Sequence, residues 1–278
     1  MKTTDAGPLG QSSEYPAQYD ASVLHPIARS LGRAELNITE PLPFVGDDIW
    51  NAYELSWLNP KGKPQVALMK MTVAAQSNCI VESKSLKLYL GSFNGSRFES
   101  MDAVAKVVER DVQRVVGGEV AVALFPLDQH DAFDIQPLAG VCIDDLDIEM
   151  SEYVVDSTLL ATASNEVVTE SLFSHLMRSC CPVTGQPDWA SVWINYTGPQ
   201  ICHASLLRYI VSFRNNQEFH EQCVERVYSD LMEHCNPEAL TVYARYTRRG
   251  GIDINPFRSS SPKVVEQLGL GNVRLVRQ

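Results

Sequence analysis

The sequence lacks the features of a membrane-spanning or exported protein. Its longest apolar run, from Val120 to Pro126, is far too short to cross a bilayer. The first 20 residues contain no apolar segment of the kind found in signal peptides, so we expect no membrane association and a cytoplasmic location. Seven cysteines form an odd number without regular spacing, which indicates reduced thiols rather than a disulfide framework.

Basic residues are scarce relative to acidic ones. The 278 residues contain 23 Lys and Arg against 34 Asp and Glu, for a formal net charge of −11. An acidic surface repels a phosphate backbone, so we expect no nucleic-acid partner. A hydrophobic content of 45% and a charged content of 21% are ordinary for globular proteins and exclude a disordered or collagen-like chain. A local basic pocket for one phosphorylated cofactor remains compatible with this composition.

The sequence also lacks the common signatures of phosphate and metal sites. Gly117-Gly118 does not have the spacing of a dinucleotide-binding fingerprint or a P-loop, and there is no His-Glu-x-x-His segment. His220, Cys223 and His234 can lie on one helix, but no Cys-x-x-Cys pair accompanies them. Packing positions on a helix explain these three residues better than a metal site does, so we expect no metal.

Periodicity predicts an alternation of strands and helices. Residues 65–73 alternate as a strand, residues 100–116 have helical spacing between a Ser100 cap and Gly117-Gly118, and residues 119–125 form an apolar strand. Residues 47–57 show no clear period, residues 136–158 are interpreted as a strand and a connection, and residues 165–180 as helix or turn. The second half further predicts a strand at 189–196, helices at 203–214 and 219–235, and a strand at 240–246.

The two halves of the chain resemble each other. Residues 85–93 and 205–213 share Ser, Leu, Tyr, Ser and Phe at an offset of 120. Five matches in nine positions can arise by chance, but both segments are followed by a long helix and a strand, which favours a degenerate internal duplication. We therefore predict an N-terminal arm at 1–45, a first unit at 46–160 and a second unit at 161–278.

One segment, residues 179–189, carries the sharpest chemical signal. Pro182 disfavours helical geometry at Cys181, so we expect a helix to end there and the thiol to lie on an exposed turn. Asp188 follows seven residues later, and a loop that turns back can bring its carboxyl beside the thiol. A carboxyl in that position can act first as base and then as acid for a nucleophilic thiolate. The alternative is a buried structural cysteine, the role we assign to the adjacent Cys180.

Three further groups are candidates for ligand binding. His220-Glu221 opens a long predicted helix and can either compensate the helix dipole or accept hydrogen bonds from a purine-like edge. Glu82 precedes the equivalent helix of the first half and can alternatively be a solvated strand end. A basic turn follows a predicted strand and contains Arg245, Arg248, Arg249, Gly250 and Gly251. This turn can bind one phosphorylated ligand, or it can be a solvated turn without a ligand.

These residues together resemble one known family. Residues 82–89 resemble the signature Glu-(Ser/Leu)-Lys-(Ser/Ala)-hydrophobic-Lys-(Leu/Tyr)-aromatic of the NADPH-dependent 7-cyano-7-deazaguanine reductases, the nitrile reductases of queuosine biosynthesis, a tRNA modification. The rest of the family pattern is matched by Cys181 with Asp188, by His220-Glu221 and by residues 248–256. The resemblance spans residues 82–258, and the length fits the long, internally duplicated form.

The resemblance implies a fold and an assembly. The fold class is α+β, with two tandem tunnelling-fold units whose antiparallel sheets have helices packed on one face. In the family such units join across subunits into a purine-binding barrel, so the resemblance implies a homodimer. It also explains the missing dinucleotide fingerprint, because the family does not bind NADPH in a Rossmann crevice.

The resemblance also implies the chemistry. NADPH reduces the nitrile of the small-molecule substrate 7-cyano-7-deazaguanine to the aminomethyl group through a covalent thioimidate. The implied catalytic residues are Cys181, Asp188 and His220; the implied substrate-binding residues are Val81, Glu82, Ser83, His220 and Glu221; the implied cofactor-binding residues are Ser83, Lys84, Arg249 and Gly250. The alternatives are another tunnelling-fold enzyme, such as a pterin-type cyclohydrolase that requires metal ligands, and a non-catalytic purine-binding protein.

Overall fold

The chain divides into two compact units, and each is described by itself. The computed structural model describes residues 15–128, 133–262 and 274–278. Of these, residues 15–32, 47–128, 133–134 and 248–254 belong to the first unit, and residues 33–46, 135–247, 255–262 and 274–278 to the second. Both units combine antiparallel sheets with helices, which confirms the α+β class. No helix within the described residues is long and apolar enough to span a bilayer.

The first unit is built on an antiparallel sheet in which strand β3 lies between β2 and β5, while β1 pairs with β4. The strands are β1 (Pro26–Ala28), β2 (Asp47–Leu58), β3 (Pro64–Ala74), β4 (Cys79–Val81) and β5 (Val120–Phe125). The helices are α1 (Arg29–Glu35), which continues into the second unit, α2 (Ser83–Gly91) and α3 (Met101–Val116).

Helix α3 shows why this unit folds as it does. Four of its six valines recur every four residues and are fully buried, in one cluster with the apolar side chains of the sheet; they are Val104, Val108, Val112 and Val116. The Ser100 hydroxyl accepts a hydrogen bond from the Ala103 N–H at the helix start, and Gly117 ends the helix in the left-handed conformation (φ 63°). The predicted helix and both of its caps are confirmed.

The second unit has a longer antiparallel sheet, ordered β7, β9, β10, β11, with a short parallel strand β6 beside β7. The strands are β6 (Val141–Cys142), β7 (Thr162–Ser174), β8 (Arg178–Cys180), β9 (Pro187–Ile201), β10 (Ala239–Tyr246) and β11 (Ile252–Ser259). Strand β8 pairs with β9, and the first three residues of β11 belong to the first unit. The helices α4 (His203–Ser212) and α5 (His220–Cys235) confirm the two predicted helices.

The same hydrogen bonds recur in both units, which supports the internal duplication. The Tyr89 hydroxyl donates to Asp111 in the first unit at 2.8 Å, and the Tyr209 hydroxyl donates to Asp230 in the second at 2.6 Å. Ser85 and Ser205 also have matching roles, since each hydroxyl accepts a hydrogen bond from a backbone N–H of the preceding segment. A tyrosine of α2 thus holds α3 in the first unit, and a tyrosine of α4 holds α5 in the second.

One expectation is wrong, and one strand was not predicted. Residues 165–180, for which the sequence indicates helix or turn, contain most of β7 and all of β8, joined by residues 175–177. Residues 163–167 of β7 are exposed on both sides of the strand, so this part lacks the apolar alternation that indicates a strand. Residues 47–57 form β2, whose register shifts between Ala52 and Leu55. Such a bulge changes the side chains' alternation between faces, which explains why no period was visible.

Candidate functional site

Cys181 opens a tight hairpin turn between β8 and β9 in the second unit. The Cys181 N–H donates to the Gln186 carbonyl at 2.9 Å, and the Gly185 N–H donates to the Cys181 carbonyl at 2.9 Å. Gly185 has a φ of 67°, which favours glycine. The predicted turn is confirmed, but two details are corrected: a strand rather than a helix precedes it, and Cys181 is buried, with 6% of its surface exposed.

The strand register places the thiol and the carboxyl on one face of this hairpin. Ser179 pairs directly with Asp188, and Cys180 pairs with Pro187. Facing residues share a face of the sheet, and so do residues two apart, so Cys181 lies on the same face as Ser179 and Asp188. Cys180 points to the opposite face, where its thiol lies 3.8 Å from the Arg214 carbonyl oxygen. Asp188 is only 4% exposed, so the shared face is poor in water.

His220, the first residue of α5, extends this group. Its Nε2 atom lies 3.4 Å from Asp188 Oδ2, which makes a carboxylate–imidazole pair suited to moving a proton. The Nδ1 atom is buried and has no hydrogen-bond partner among the described residues. Glu221, the next residue, is 4% exposed in the first turn of α5, where the helix dipole favours a negative charge.

The ring of His220 is held in place by Tyr246, a residue of β10. The two rings stack in parallel, with their centroids 3.6 Å apart and an angle of 1° between their planes. This contact fixes the direction in which the imidazole nitrogens point, and therefore the approach of Nε2 to Asp188. Sequence reasoning missed Tyr246 because only the pairing of β10 with β9, where Tyr246 faces Ala190, brings it to this site.

A buried ion-pair cluster anchors α5. Glu225, one turn after Glu221, accepts hydrogen bonds from Arg33 Nη2 at 2.8 Å and from Arg258 Nη2 at 2.9 Å. All three side chains are less than one-tenth exposed. The three residues are far apart in the sequence, so no local pattern could have revealed them. Their role is to fix the helix that presents His220 and Glu221.

Within residues 15–128, 133–262 and 274–278, no three metal-ligating side chains lie close enough together to hold an ion.

Cys223, one turn after His220 on α5, is fully buried. Burial raises the pKa of the Cys223 thiol far above its ordinary value, so this thiol stays protonated at neutral pH.

In the first unit, Glu82 caps helix α2. Its Oε1 atom accepts a hydrogen bond from the Lys84 N–H at 2.6 Å, and its Oε2 atom accepts one from the Ser85 N–H at 2.7 Å. Glu82 is 1% exposed, so it is not a solvated strand end. Burial raises the pKa of the Glu82 carboxyl, although the two backbone hydrogen bonds lower it in part. A carboxylate has about four lone-pair sites, so two remain for a ligand. Val81, which ends β4, is buried and Ser83 begins α2.

Comparison with known proteins decides the family. A family model described as "Nitrile reductase, 7-cyano-7-deazaguanine-reductase N-term" matches residues 15–124, and one described as "QueF-like protein" matches residues 187–264. A Burkholderia orbicola protein is 57% identical over 91% of this chain and 93% of its own length, and a Burkholderia ambifaria protein is 56% identical over the same shares. A Paraburkholderia phymatum protein is 53% identical over 93% of this chain and 94% of its own length. All three are named NADPH-dependent 7-cyano-7-deazaguanine reductase.

This chain belongs to the NADPH-dependent 7-cyano-7-deazaguanine reductase family. Among solved structures, the apo form of the archaeosine synthase QueF-Like matches at 17% identity, with a TM-score of 0.30, over 34% of this chain and 91% of that chain. The family assignment therefore depends on the sequence relatives and the two family models.

Members of this reductase family use NADPH, and the first unit has a basic group that fits its phosphates. Arg249 and Gly250 lie in the turn that leads into β11, and a Cβ atom placed on Gly250 would lie 3.2 Å from Lys87 Cδ. Lys84 precedes Lys87 by three residues and therefore lies on the same side of α2. Lys87 therefore lies beside the turn that contains Arg249, and Lys84 lies one helical turn before Lys87, so three basic residues are available for phosphate groups.

The geometry of this turn requires glycine. Gly250 and Gly251 have φ values of 60° and 76°, and a Cβ atom on Gly251 would lie 2.5 Å from the Glu54 carboxyl carbon. The guanidinium of Arg248 stacks over the Tyr53 ring at 4.4 Å, which orders the start of the turn. In this reductase chain the residues predicted at the site thus form two groups. One is Cys181, Asp188, His220 and Glu221 in the second unit, and the other is Val81, Glu82, Ser83, Lys84, Arg249 and Gly250 in the first.

Proposed function

We propose that this protein reduces the nitrile of 7-cyano-7-deazaguanine to an aminomethyl group through a covalent thioimidate on Cys181, in queuosine biosynthesis. As a member of its family it is an NADPH-dependent oxidoreductase that acts on a nitrile. The covalent route is the part of the proposal that the family resemblance implies. The observation that supports it most is the hairpin, in which Ser179 pairs with Asp188 two residues before Cys181 and in which both Cys181 and Asp188 are buried.

Cys181 is the nucleophile in this proposal. Its sulfur bonds to the nitrile carbon, one of the carbon–nitrogen π bonds is lost, and the thiol proton passes to Asp188 and then to the nitrile nitrogen. A nitrile carbon accepts hydride poorly, whereas the thioimidate accepts it readily and later releases the thiolate as a leaving group. Because Cys181 and Asp188 are both buried, water is excluded and the imine that follows is protected from hydrolysis.

His220 is the second proton-handling residue in this proposal. Its Nε2 atom, 3.4 Å from Asp188 Oδ2, returns protons to the carboxyl between the two reductions. Its buried Nδ1 atom, which has no hydrogen-bond partner among the described residues, is left for the substrate. The ring thus serves in catalysis and in substrate binding.

The cofactor and the purine are assigned to two sets of side chains that share Ser83. NADPH would supply the two hydrides of the reaction, one from each of two molecules bound in turn, and we assign its binding to Ser83, Lys84, Arg249 and Gly250. The deazaguanine edge carries N–H donors, which the carboxylates of Glu82 and Glu221 accept. Val81, Ser83 and His220 complete the substrate contacts.

We extend the proposal to the assembly and location of the protein. The protein is a cytoplasmic homodimer that acts on the free base and does not bind nucleic acid, consistent with its net charge of −11. Along the sequence, we assign residues 1–45 to an N-terminal arm and residues 46–160 and 161–278 to two tunnelling-fold repeats. The compact units of the structure have other bounds, since residues 33–46 and 135–160 belong to the second unit and residues 248–254 to the first. Light scattering combined with gel filtration measures the oligomeric state.

Intact mass spectrometry tests the covalent step. The protein is incubated with 7-cyano-7-deazaguanine without NADPH, and we expect a gain equal to the mass of the nitrile. The gain should vanish in Cys181→Ala and persist in Cys180→Ala, since Cys180 points to the other face of the hairpin. An unchanged mass for the wild-type protein refutes the thioimidate. Tightly bound zinc in the purified protein would instead favour a cyclohydrolase-type activity.

A further inference from the structure

The second unit contains a cavity outside the group formed by Cys181, Asp188, His220 and Glu221. Its volume is about 540 Å³, within the range of sites for small organic ligands. Trp189, Tyr153 and Leu176 form apolar parts of its wall, and Arg214 and Arg277 supply positive charge. None of the residues assigned to the nitrile reaction lines it.

Trp189 links this cavity to the catalytic hairpin. It follows Asp188 directly in β9 and therefore points to the opposite face, away from Cys181. Its ring is 38% exposed, although large aromatic side chains are usually well buried. The Arg178 and Arg214 guanidinium carbons lie 5.6 Å and 5.7 Å from the ring centroid, so the aromatic wall also orders two cations.

The cations around this wall have no ion-pair partner. Within residues 15–128, 133–262 and 274–278, no carboxylate lies within ion-pair distance of Arg178, Arg214 or Arg277. This is unusual for a chain with a net charge of −11. Arg277 Nη2 is instead fixed by the carbonyl oxygens of His175 at 2.9 Å and Ala190 at 3.0 Å. Partial burial lowers the pKa of Arg277, and only Asp144 opposes this at longer range.

We propose that this cavity binds a small aromatic phosphate, with its ring against Trp189 and its phosphate on Arg214 and Arg277. Planar guanidinium groups match phosphate oxygens in two-point contacts, and an aromatic ring fits a wall that is apolar and partly exposed. The ligand would press on the residue next to Asp188, so the cavity is placed to influence the hairpin that carries Cys181. The binding step does not depend on the proposed nitrile chemistry.

Calorimetric titration with phenyl phosphate tests the site in the wild-type protein. We expect phenyl phosphate to bind at least tenfold more tightly than either inorganic phosphate or phenol, and to quench tryptophan fluorescence. The double variant Arg214→Ala/Arg277→Ala should lose at least tenfold in affinity. The exposed Arg114→Ala is the charge-matched control, and Arg249→Ala tests the basic turn of the first unit; both should bind like the wild type.

Two further measurements complete the test. Arg214→Lys/Arg277→Lys keeps the charge but loses the planar fork, and we expect an affinity between those of the wild type and the alanine variant, which excludes misfolding as the cause. Quenching should disappear in Trp189→Phe. The proposal is overturned if wild-type protein binds no phenyl phosphate, if binding survives in the double alanine variant, or if phosphate alone binds as tightly. The nitrile adduct is measured separately, so either hypothesis can fail alone.

Discussion

Replacing Asp188 by Asn tests the proton role of the carboxyl. The two side chains are nearly isosteric, and Asp188 is 4% exposed beside its strand partner Ser179, so the amide keeps the packing while it removes the proton acceptor. The thiol of Cys181 then has to lose its proton by another route before sulfur can bond to the nitrile carbon. We therefore expect slower formation of the adduct rather than weaker binding of the nitrile.

The structure sets the expected size of this effect. A positioned general base contributes roughly 10²–10⁴-fold to a rate. We expect about 10²-fold, the low end of that range, because His220 Nε2 lies only 3.4 Å from Asp188 Oδ2 and can take over part of the proton transfer. The double variant Asp188→Asn/His220→Ala should therefore lose more than the single variant does.

Rapid-quench mass spectrometry without NADPH measures the adduct rate directly. The exposed Asp147→Asn is the control with the same charge change and should react at the wild-type rate. Raising the pH should reduce the deficit of Asp188→Asn, since hydroxide can then remove the thiol proton. Wild-type adduct kinetics in Asp188→Asn at neutral pH refute the proposed role of the carboxyl, even if the thioimidate itself is formed.

Three other changes probe the supports of the site. Tyr246→Leu should lower kcat about tenfold with little change in KM, because the stacked ring that orients His220 is lost. Tyr246→Phe keeps the ring and should have the wild-type kcat. Equal kcat values for the two variants contradict this role. Glu225→Gln should lower the free energy of unfolding by about 3–5 kcal/mol, because it removes the negative charge that two buried arginines contact. The control Glu233→Gln, at an exposed position, should leave the free energy of unfolding nearly unchanged. Urea unfolding measures both variants. Burial raises the pKa of Cys235 from 9.0 to about 11, so the unfolded chain loses this proton first. The free energy of unfolding should then fall between about pH 9 and 11 by roughly 2 kcal/mol, and a Cys235→Ala variant with the same slope contradicts this.

The sequence predicted those parts of the fold that repeat regularly. Helix α3 has a strict four-residue repeat of valines, a serine cap and a glycine end, and all three were recognised. Strand β2 was missed because its bulge interrupts the alternation, and β7 because neither of its faces is mainly buried. Both failures occur where burial no longer follows the secondary-structure period, which is the primary signal for secondary structure in a single sequence.

The candidate site could be predicted only where its residues are neighbours in the chain. Cys181 and Asp188 lie within one hairpin, and His220-Glu221 is a dipeptide, so their spacing already suggested chemistry. Tyr246 belongs to the site only through strand pairing. Arg33, Glu225 and Arg258 meet only in the folded unit, which is why none of these contacts could be read from local patterns.

The two hairpin turns explain why a cysteine at position 181 points to function rather than stability. In the first unit, the turn after β2 starts at Asn59 and closes through a hydrogen bond from the Gly62 N–H to the Asn59 carbonyl at 2.8 Å. The Asn59 side chain also accepts hydrogen bonds from the backbone N–H groups of Lys61 and Lys63, at 3.0 and 2.9 Å. Such contacts stabilise turns, and a thiol is too weak an acceptor to replace them. The second unit therefore forgoes a stabilising side chain at the turn position that we propose for the nucleophile, as expected where function outweighs local stability.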